Sequence, residues 1–133
     1  MTKPAISGVS PLFIVADVPA ALSFYRDMLG FEIIFRGPAP EDEFFGIVRR
    51  DAAMIMFKAL DIEPFPNYHR EPAFSWDAYF EVADPDALAA EFAARGVRFS
   101  VPLTESDHGD DGLRGFVIED LDGYGLYFGH VRA

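Results

Sequence analysis

The stretch from Ser10 to Phe35, SPLFIVADVPAALSFYRDMLGFEIIF, reads as strand, helix, strand. Leu12 to Val15 is an apolar run too short for a helix and rich in β-formers. Asp17 follows as an N-cap, its carboxylate placed to accept a bond from an unpaired N–H of the first turn. Pro19 falls in that turn, where a missing N–H has little consequence. Ala21, Phe24, Tyr25 and Met28 recur at helical spacing as one apolar stripe. Gly30 stands where a left-handed C-cap belongs. The pattern predicts a helix over Val18–Leu29, with extended structure resuming from Phe31 to Phe35.

A degenerate copy returns at Asp77 to Val101, DAYFEVADPDALAAEFAARGVRFSV. Val82-Ala83-Asp84 repeats Val15-Ala16-Asp17, Pro85 opens a helix predicted over Pro85–Arg95, and Leu88 and Phe92 face the core. Gly96 stops the helix, and Val97 to Val101 is the next strand. Asp84 lies 67 residues after Asp17, and Gly96 lies 66 after Gly30, so the second helix is one residue shorter. Two copies of this kind mean an internally duplicated domain rather than a solenoid.

Working outward, Gly37 to Glu43 holds two prolines and is expected to be a loop. Phe44 to Arg49 and Ala53 to Lys58 read as strands across a turn at Arg50-Asp51. Leu60 to Pro72 carries three prolines and no periodicity, which makes it the connection between halves. After the copy, Pro102 to Asp111 is expected to be a loop. Arg114 to Glu119 and Gly125 to Val131 form a last strand pair, joined through the turn dipeptide Asp122-Gly123. The predicted class is α+β: two βαβββ modules with largely antiparallel mixed sheets and one helix per module outside. The whole of 1–133 reads as one domain, with module one at about 8–59, a linker at 60–75 and module two at about 76–131.

The composition narrows the function. Twenty-two acidic residues against eleven basic ones give a net charge of −11, which disfavours nucleic acid as a partner. The acids cluster beside turn signals and read as solvated loops. There is no cysteine, which excludes disulfides and thiolate metal sites. No stretch approaches the roughly 20 apolar residues of a membrane span. A cytoplasmic protein is expected. No Gly-x-Ser-x-Gly, phosphate loop or other nucleophile constellation stands out.

The element order resembles the vicinal oxygen chelate superfamily, which includes glyoxalase I, bleomycin resistance proteins, fosfomycin resistance proteins and extradiol dioxygenases. The likeness is carried by Val15-Ala16-Asp17 with Ala20 to Phe31 (AALSFYRDMLGF), and by Asp120 to Tyr127 (DLDGYGLY), where Leu121 replaces the family's turn proline. It implies that the curled sheets form a cup. Enzymes of this superfamily hold a divalent metal in that cup with His, Glu or Gln side chains, from the first and last strands of each half. The corresponding positions here are Ser10, Met56, Asp77 and Tyr127. A thioether, two neutral hydroxyls and one carboxylate are poor donors for such a cation. The expectation is therefore no metal and no cofactor, with the cup left as a binding pocket, as in bleomycin-resistance-type members.

Strand phase supplies the lining. Ser10, Leu12 and Ile14 share one side of the first strand, and Asp77, Tyr79 and Glu81 one side of the strand after the linker. Met54, Met56 and Lys58 form a third set, and Gly125, Tyr127 and Gly129 a fourth. Phe44 or Phe45, Trp76 and Phe116 are expected as rim aromatics. His69, His108 and His130 show no ligand spacing and read as exposed or capping residues, with His130 out of phase with Tyr127. An aromatic and methionine lining with a few acids suits a flat, amphipathic cationic ligand. The resulting expectation is a homodimeric, non-catalytic small-molecule binding protein. Its site is Ser10, Leu12, Met54, Met56, Trp76, Asp77, Tyr79, Glu81, Phe116 and Tyr127. The alternative is a glyoxalase- or dioxygenase-type enzyme with an atypical metal or an acid/base carboxylate.

Overall fold

Asp17 and Asp84 each turn a strand into a helix. The computed structural model describes residues 2–71, 76–106 and 112–131. Its elements run β1 (Leu12–Ile14), α1 (Val18–Leu29), β2 (Glu32–Ala39), β3 (Asp42–Arg50), β4 (Ala53–Lys58) and α2 (Asn67–Arg70). They continue β5 (Ala78–Glu81), α3 (Pro85–Ala94), β6 (Phe99–Ser106), β7 (Leu113–Glu119) and β8 (Gly125–Val131). The Asp17 carboxylate accepts from the Ala20 N–H at 3.0 Å, and that of Asp84 from the Ala87 N–H at 3.0 Å. Gly30 ends α1 at φ 73°, a conformation that only glycine adopts freely, and donates its N–H to the Tyr25 carbonyl. The helix α3 stops one residue earlier than expected, with Arg95 as its cap and Gly96 following at φ 86°.

The strands form two four-stranded sheets of the same order, β1-β4-β3-β2 and β5-β8-β7-β6. In each, the strand before the helix pairs parallel with the last strand of the module, and the remaining pairs are antiparallel. The duplication predicted from the Val-Ala-Asp corners is thus a duplication of topology. Among the described residues, no helix is long and apolar enough to cross a membrane.

Three expectations change. The loop expected over Gly37–Glu43 is mostly strand: β2 runs through Pro38 to Ala39, and β3 starts at Asp42. The loop expected over Pro102 to Asp111 is likewise strand as far as Ser106, and its remainder, 107–111, lies outside the described residues. The reason is the same in both modules. β2 and β6 are edge strands, and each proline sits at a register shift, Gly37/Pro38 or Val101/Thr104, where a missing N–H breaks no ladder bond. The linker also holds the short helix α2, started by the Asp77 carboxylate, which accepts the Asn67 N–H at 2.7 Å.

The helix sides of both sheets share one core. Phe13, Val15, Leu22, Tyr25, Val48, Ile55 and Phe57 of the first module join Phe92, Phe116, Ile118, Leu126 and Phe128 of the second. Each fully buried Leu, Ile or Phe contributes about 1.5–3 kcal/mol. Polar contacts close the seam. The Tyr25 hydroxyl donates to Asp120 Oδ2 at 2.7 Å, and Tyr124 donates to the Ile14 carbonyl at 2.6 Å while its ring stacks on Phe13 at 4.1 Å. Arg50 makes a two-pronged bond to Glu91, with both N–O distances 2.8 Å, and Arg95 donates to the Asp27 carbonyl.

Asp120 is 7% exposed, and burial pushes its pKa up to about 6, against the donors from Tyr25, Tyr124 and Asp122. A folded pKa above the unfolded one means that the protonated carboxyl favours the fold. That contribution is complete below the ordinary 3.8 and is lost as pH rises through about 6. Asp120→Asn is therefore expected to remove up to about 3 kcal/mol of pH dependence across this window. Urea unfolding of both proteins from about pH 4 to about pH 7 measures it. Parallel stability curves would show that Asp120 titrates normally.

Candidate functional site

On the face of the second sheet turned away from its helix, pairing builds two rows. Tyr79, Tyr127 and Val117 lie level across β5, β8 and β7, and beside them Glu81, Gly129 and Gly115. The two glycines make a floor for the Tyr127 ring. A Cβ on Gly129 would fall on the ring's Cε1, and one on Gly115 would come within 2.8 Å of it as well as striking the β8 backbone. An aromatic ring laid over cross-strand glycines covers backbone that would otherwise lack packing. Tyr127 is 8% exposed as a result.

Two further rings extend this surface. Trp76 packs on Tyr127 at 4.7 Å between centroids, and Tyr79 stacks on it at 5.5 Å with an interplanar angle of 16°. Tyr79 stays 37% exposed. Its hydroxyl donates to Glu81 Oε1 at 2.7 Å, and Glu81 Oε2 meets His130 Nδ1 at 2.6 Å. Partial burial, then the Glu81 carboxylate, raise the Tyr79 pKa well above its usual value, so the phenol remains a donor. The same bond leads the causes that lower the Glu81 pKa, opposed by desolvation and aided by His130. The wall is therefore three rings wide and pinned at its outer edge.

The first sheet presents Leu12, Met56, Ile47 and Phe35 as one uncharged row. Phe45 packs edge-on to Phe35 at 6.0 Å. Of the two phenylalanines open at this place, Phe45 is the one on this face, because Gly46 beside it abuts Leu22 and Val18 of α1. The two sheets meet at a cleft of about 280 Å³ lined by Met54, Tyr79 and Glu81, with Pro11, Ala53 and Ala78 around them.

The expected site residues thus divide. Trp76, Tyr79, Glu81 and Tyr127 come together, and Met54 joins them through the cleft. Leu12 and Met56 lie on the first sheet's open face, and Ser10 is half-buried just before β1. Asp77 serves as a brace: its carboxylate accepts the Asn67 N–H and, at 2.8 Å, the Gly125 N–H. Phe116 is a correction. It is fully buried on the helix side, among Phe92, Phe99 and Phe128, and lines no open face. Gly115, Phe116, Val117 and Ile118 are all buried, so no polar residue marks which side is which.

Sequence reasoning missed Gly115 and the link from Glu81 to His130. Both depend on strand register, which leaves no local signal. His69 pairs with Glu119 and packs over the Gly123 turn. His108 lies outside the described residues. Among the described residues, no three His, Asp or Glu side chains are grouped to hold a metal ion. The positions that the resemblance assigns to metal ligands, Ser10, Met56, Tyr127 and Asp77, do not suit one chemically either: a hydroxyl, a thioether, a phenol and a carboxylate already bonded to two amides.

Two βαβββ modules, each a four-stranded mixed sheet with one long helix, define the structural class. The sequence matches the Glyoxalase/Bleomycin resistance protein/Dioxygenase superfamily over residues 9–128, and the chain belongs to that superfamily. It is similar to the bleomycin-binding protein from bleomycin-producing Streptomyces verticillus, solved in complex with copper(II)-bleomycin. That likeness has 33% identity and a TM-score of 0.67, over 96% of this chain and 97% of the other. TioX from Micromonospora sp. ML1 is similar at 20% identity and a TM-score of 0.72, covering 92% and 97% of the two chains. A superfamily member from Alicyclobacillus acidocaldarius is similar at 18% and 0.73, covering 93% and 90%. These last two establish the fold alone. No protein of curated function matches the sequence.

The glycine floor generates a test. Gly129→Ala is expected to push the Tyr127 ring off its seat, change the fluorescence of Trp76, and destabilise the protein by about 1–3 kcal/mol. Trp76 is the chain's one tryptophan, so its emission reads this contact directly. Gly8→Ala, where an added Cβ meets nothing within 4 Å, is expected to leave emission and stability unchanged. Equal behaviour of the two variants would remove the floor from the account.

Proposed function

We propose that the protein binds and sequesters a flat, amphipathic, cationic small molecule without transforming it, as a cytoplasmic homodimer. The observation that carries this is the wall of Trp76, Tyr127 and Tyr79, seated on Gly115 and Gly129. Its ring faces take planar ligands by stacking and cations by their quadrupoles. The relative from Streptomyces verticillus, solved with a copper(II)-bleomycin, supports a ligand of that size and kind. Cation preference rests on the ring faces and on the net charge of −11. Asp77 and Glu81 are already hydrogen-bonded, so they orient the wall more than they neutralise a ligand. The exposed apolar side chains of Leu12, Phe35, Tyr79 and Val101 on the open faces support a second copy as cover. The rival reading, a metal-dependent enzyme of the same superfamily, requires donors that Ser10, Met56, Tyr127 and Asp77 do not offer.

Calorimetric titration with bleomycin-like glycopeptides and with smaller cationic aromatics tests this reading. Saturable binding is expected at about micromolar Kd, weaker by about tenfold in Trp76→Ala and in Tyr79→Ala, and weaker at high salt. No binding across the panel, or conversion of a bound ligand, would refute it. Elemental analysis of protein purified without chelator is expected to find less than one equivalent of Ni, Zn, Mn or Fe per chain. A stoichiometric metal would favour the enzyme. Light scattering is expected to give the mass of two chains.

A further inference from the structure

A second cleft, of about 410 Å³, opens on the helix side of the molecule, away from the aromatic wall. Phe24 and Met28 of α1 form one side, and Val97, Phe99 and Leu121 of the second module form the other. Phe24, Met28 and Phe99 pack on the core but remain partly open, so they give the cleft an apolar patch, and Ser100 with the charged groups makes the rest of its lining polar. Three charged groups line it: Glu119, Asp120 and Arg98. The two acids are engaged, Glu119 with His69 and Asp120 with the Tyr25 hydroxyl and two backbone amides.

Arg98 is different. Every other described arginine holds a hydrogen bond or an ion pair: Arg26 with Asp27, Arg36 with Glu43, Arg49 with Glu32, Arg50 and Arg95 with Glu91, Arg70 with Asn67, and Arg114 with Asp86. Among the described residues, Arg98 is the one arginine whose guanidinium has no such partner. In a chain with twice as many acids as bases, an arginine left unpaired at the edge of a cleft that is apolar on the Phe24, Met28 and Phe99 side and polar elsewhere points to an amphipathic anion from outside.

We propose that this cleft is a second binding site, for a small aromatic carboxylate. The guanidinium fork matches a carboxylate with two parallel hydrogen bonds, and the apolar patch holds a ring. One cation beside two acids favours a singly charged group over a phosphate. The site is independent of the aromatic wall and of what binds there. Because its sides belong to different modules, a ligand in it clamps the seam next to the Tyr25–Asp120 bond.

Phenylacetate is the probe, and 2-phenylethanol is its uncharged counterpart. Calorimetric titration of the whole protein is expected to give saturable phenylacetate binding at about millimolar Kd, the range for a ligand of this size. Arg98→Ala removes an exposed, unbonded side chain, so the variant is expected to fold and to bind about tenfold more weakly. The alcohol is expected to bind the unaltered protein about as weakly. Trp76→Ala is expected to leave phenylacetate binding unchanged, which separates this site from the aromatic wall. Failure to saturate, binding that survives Arg98→Ala, or binding that disappears in Trp76→Ala would each overturn the proposal.

Discussion

The hydroxyl of Tyr25, wholly buried on α1, donates to the carboxylate of Asp120 at the turn between β7 and β8. That turn concentrates one half of the seam's polar bonding, with the Arg50–Glu91 and Arg95–Asp27 contacts on the other side. Asp120 accepts the amides of Asp122 and Tyr124, Asp122 accepts the Ala16 amide, and Tyr124 reaches the Ile14 carbonyl while stacking on Phe13. A βαβββ module has one helix for four strands, so its sheet is covered incompletely on the helix side. Here each module completes the other's core, and the turn around Asp120 sets their relation. The desolvation that raises the Asp120 pKa is a consequence of where the joint must lie.

This arrangement directs the chemistry to the opposite faces. With the helix sides turned on one another, Tyr79, Tyr127 and Trp76 lie on a face that no helix covers. Two devices hold these rings in place: the glycine floor under Tyr127, and the Tyr79–Glu81–His130 chain at the rim. Neither requires a metal. Of the side chains on or beside this face, Asp77 braces two backbone amides and Tyr127 packs between Trp76 and Tyr79.

Edge position explains how prolines sit inside strands. Pro38 and Pro102 lie in corresponding edge strands of the two sheets, each at a register shift. A proline in a central strand would break a ladder, whereas at an edge it blocks pairing with a stray chain. The same residue type therefore ends a strand or protects one, according to what lies beside it.

The sequence by itself determined the two helices, their acidic caps, the glycine stop of the first, the Asp122-Gly123 turn and the alternation that sends Tyr79 and Tyr127 to one side of their strands. These features are local: a cap, a left-handed residue or a two-residue period is complete within a few positions. Only the tertiary structure decided which strands are edges, that β5 runs parallel to β8 with Tyr79 level with Tyr127, and that Gly115 lies opposite Gly129. It also decided that Asp77 is bound by amides 10 and 48 residues away, and that Phe116 belongs to the core. Such facts rest on pairing between distant segments. A run buried on both faces, such as Gly115 to Ile118, carries no polar mark from which its phase can be read.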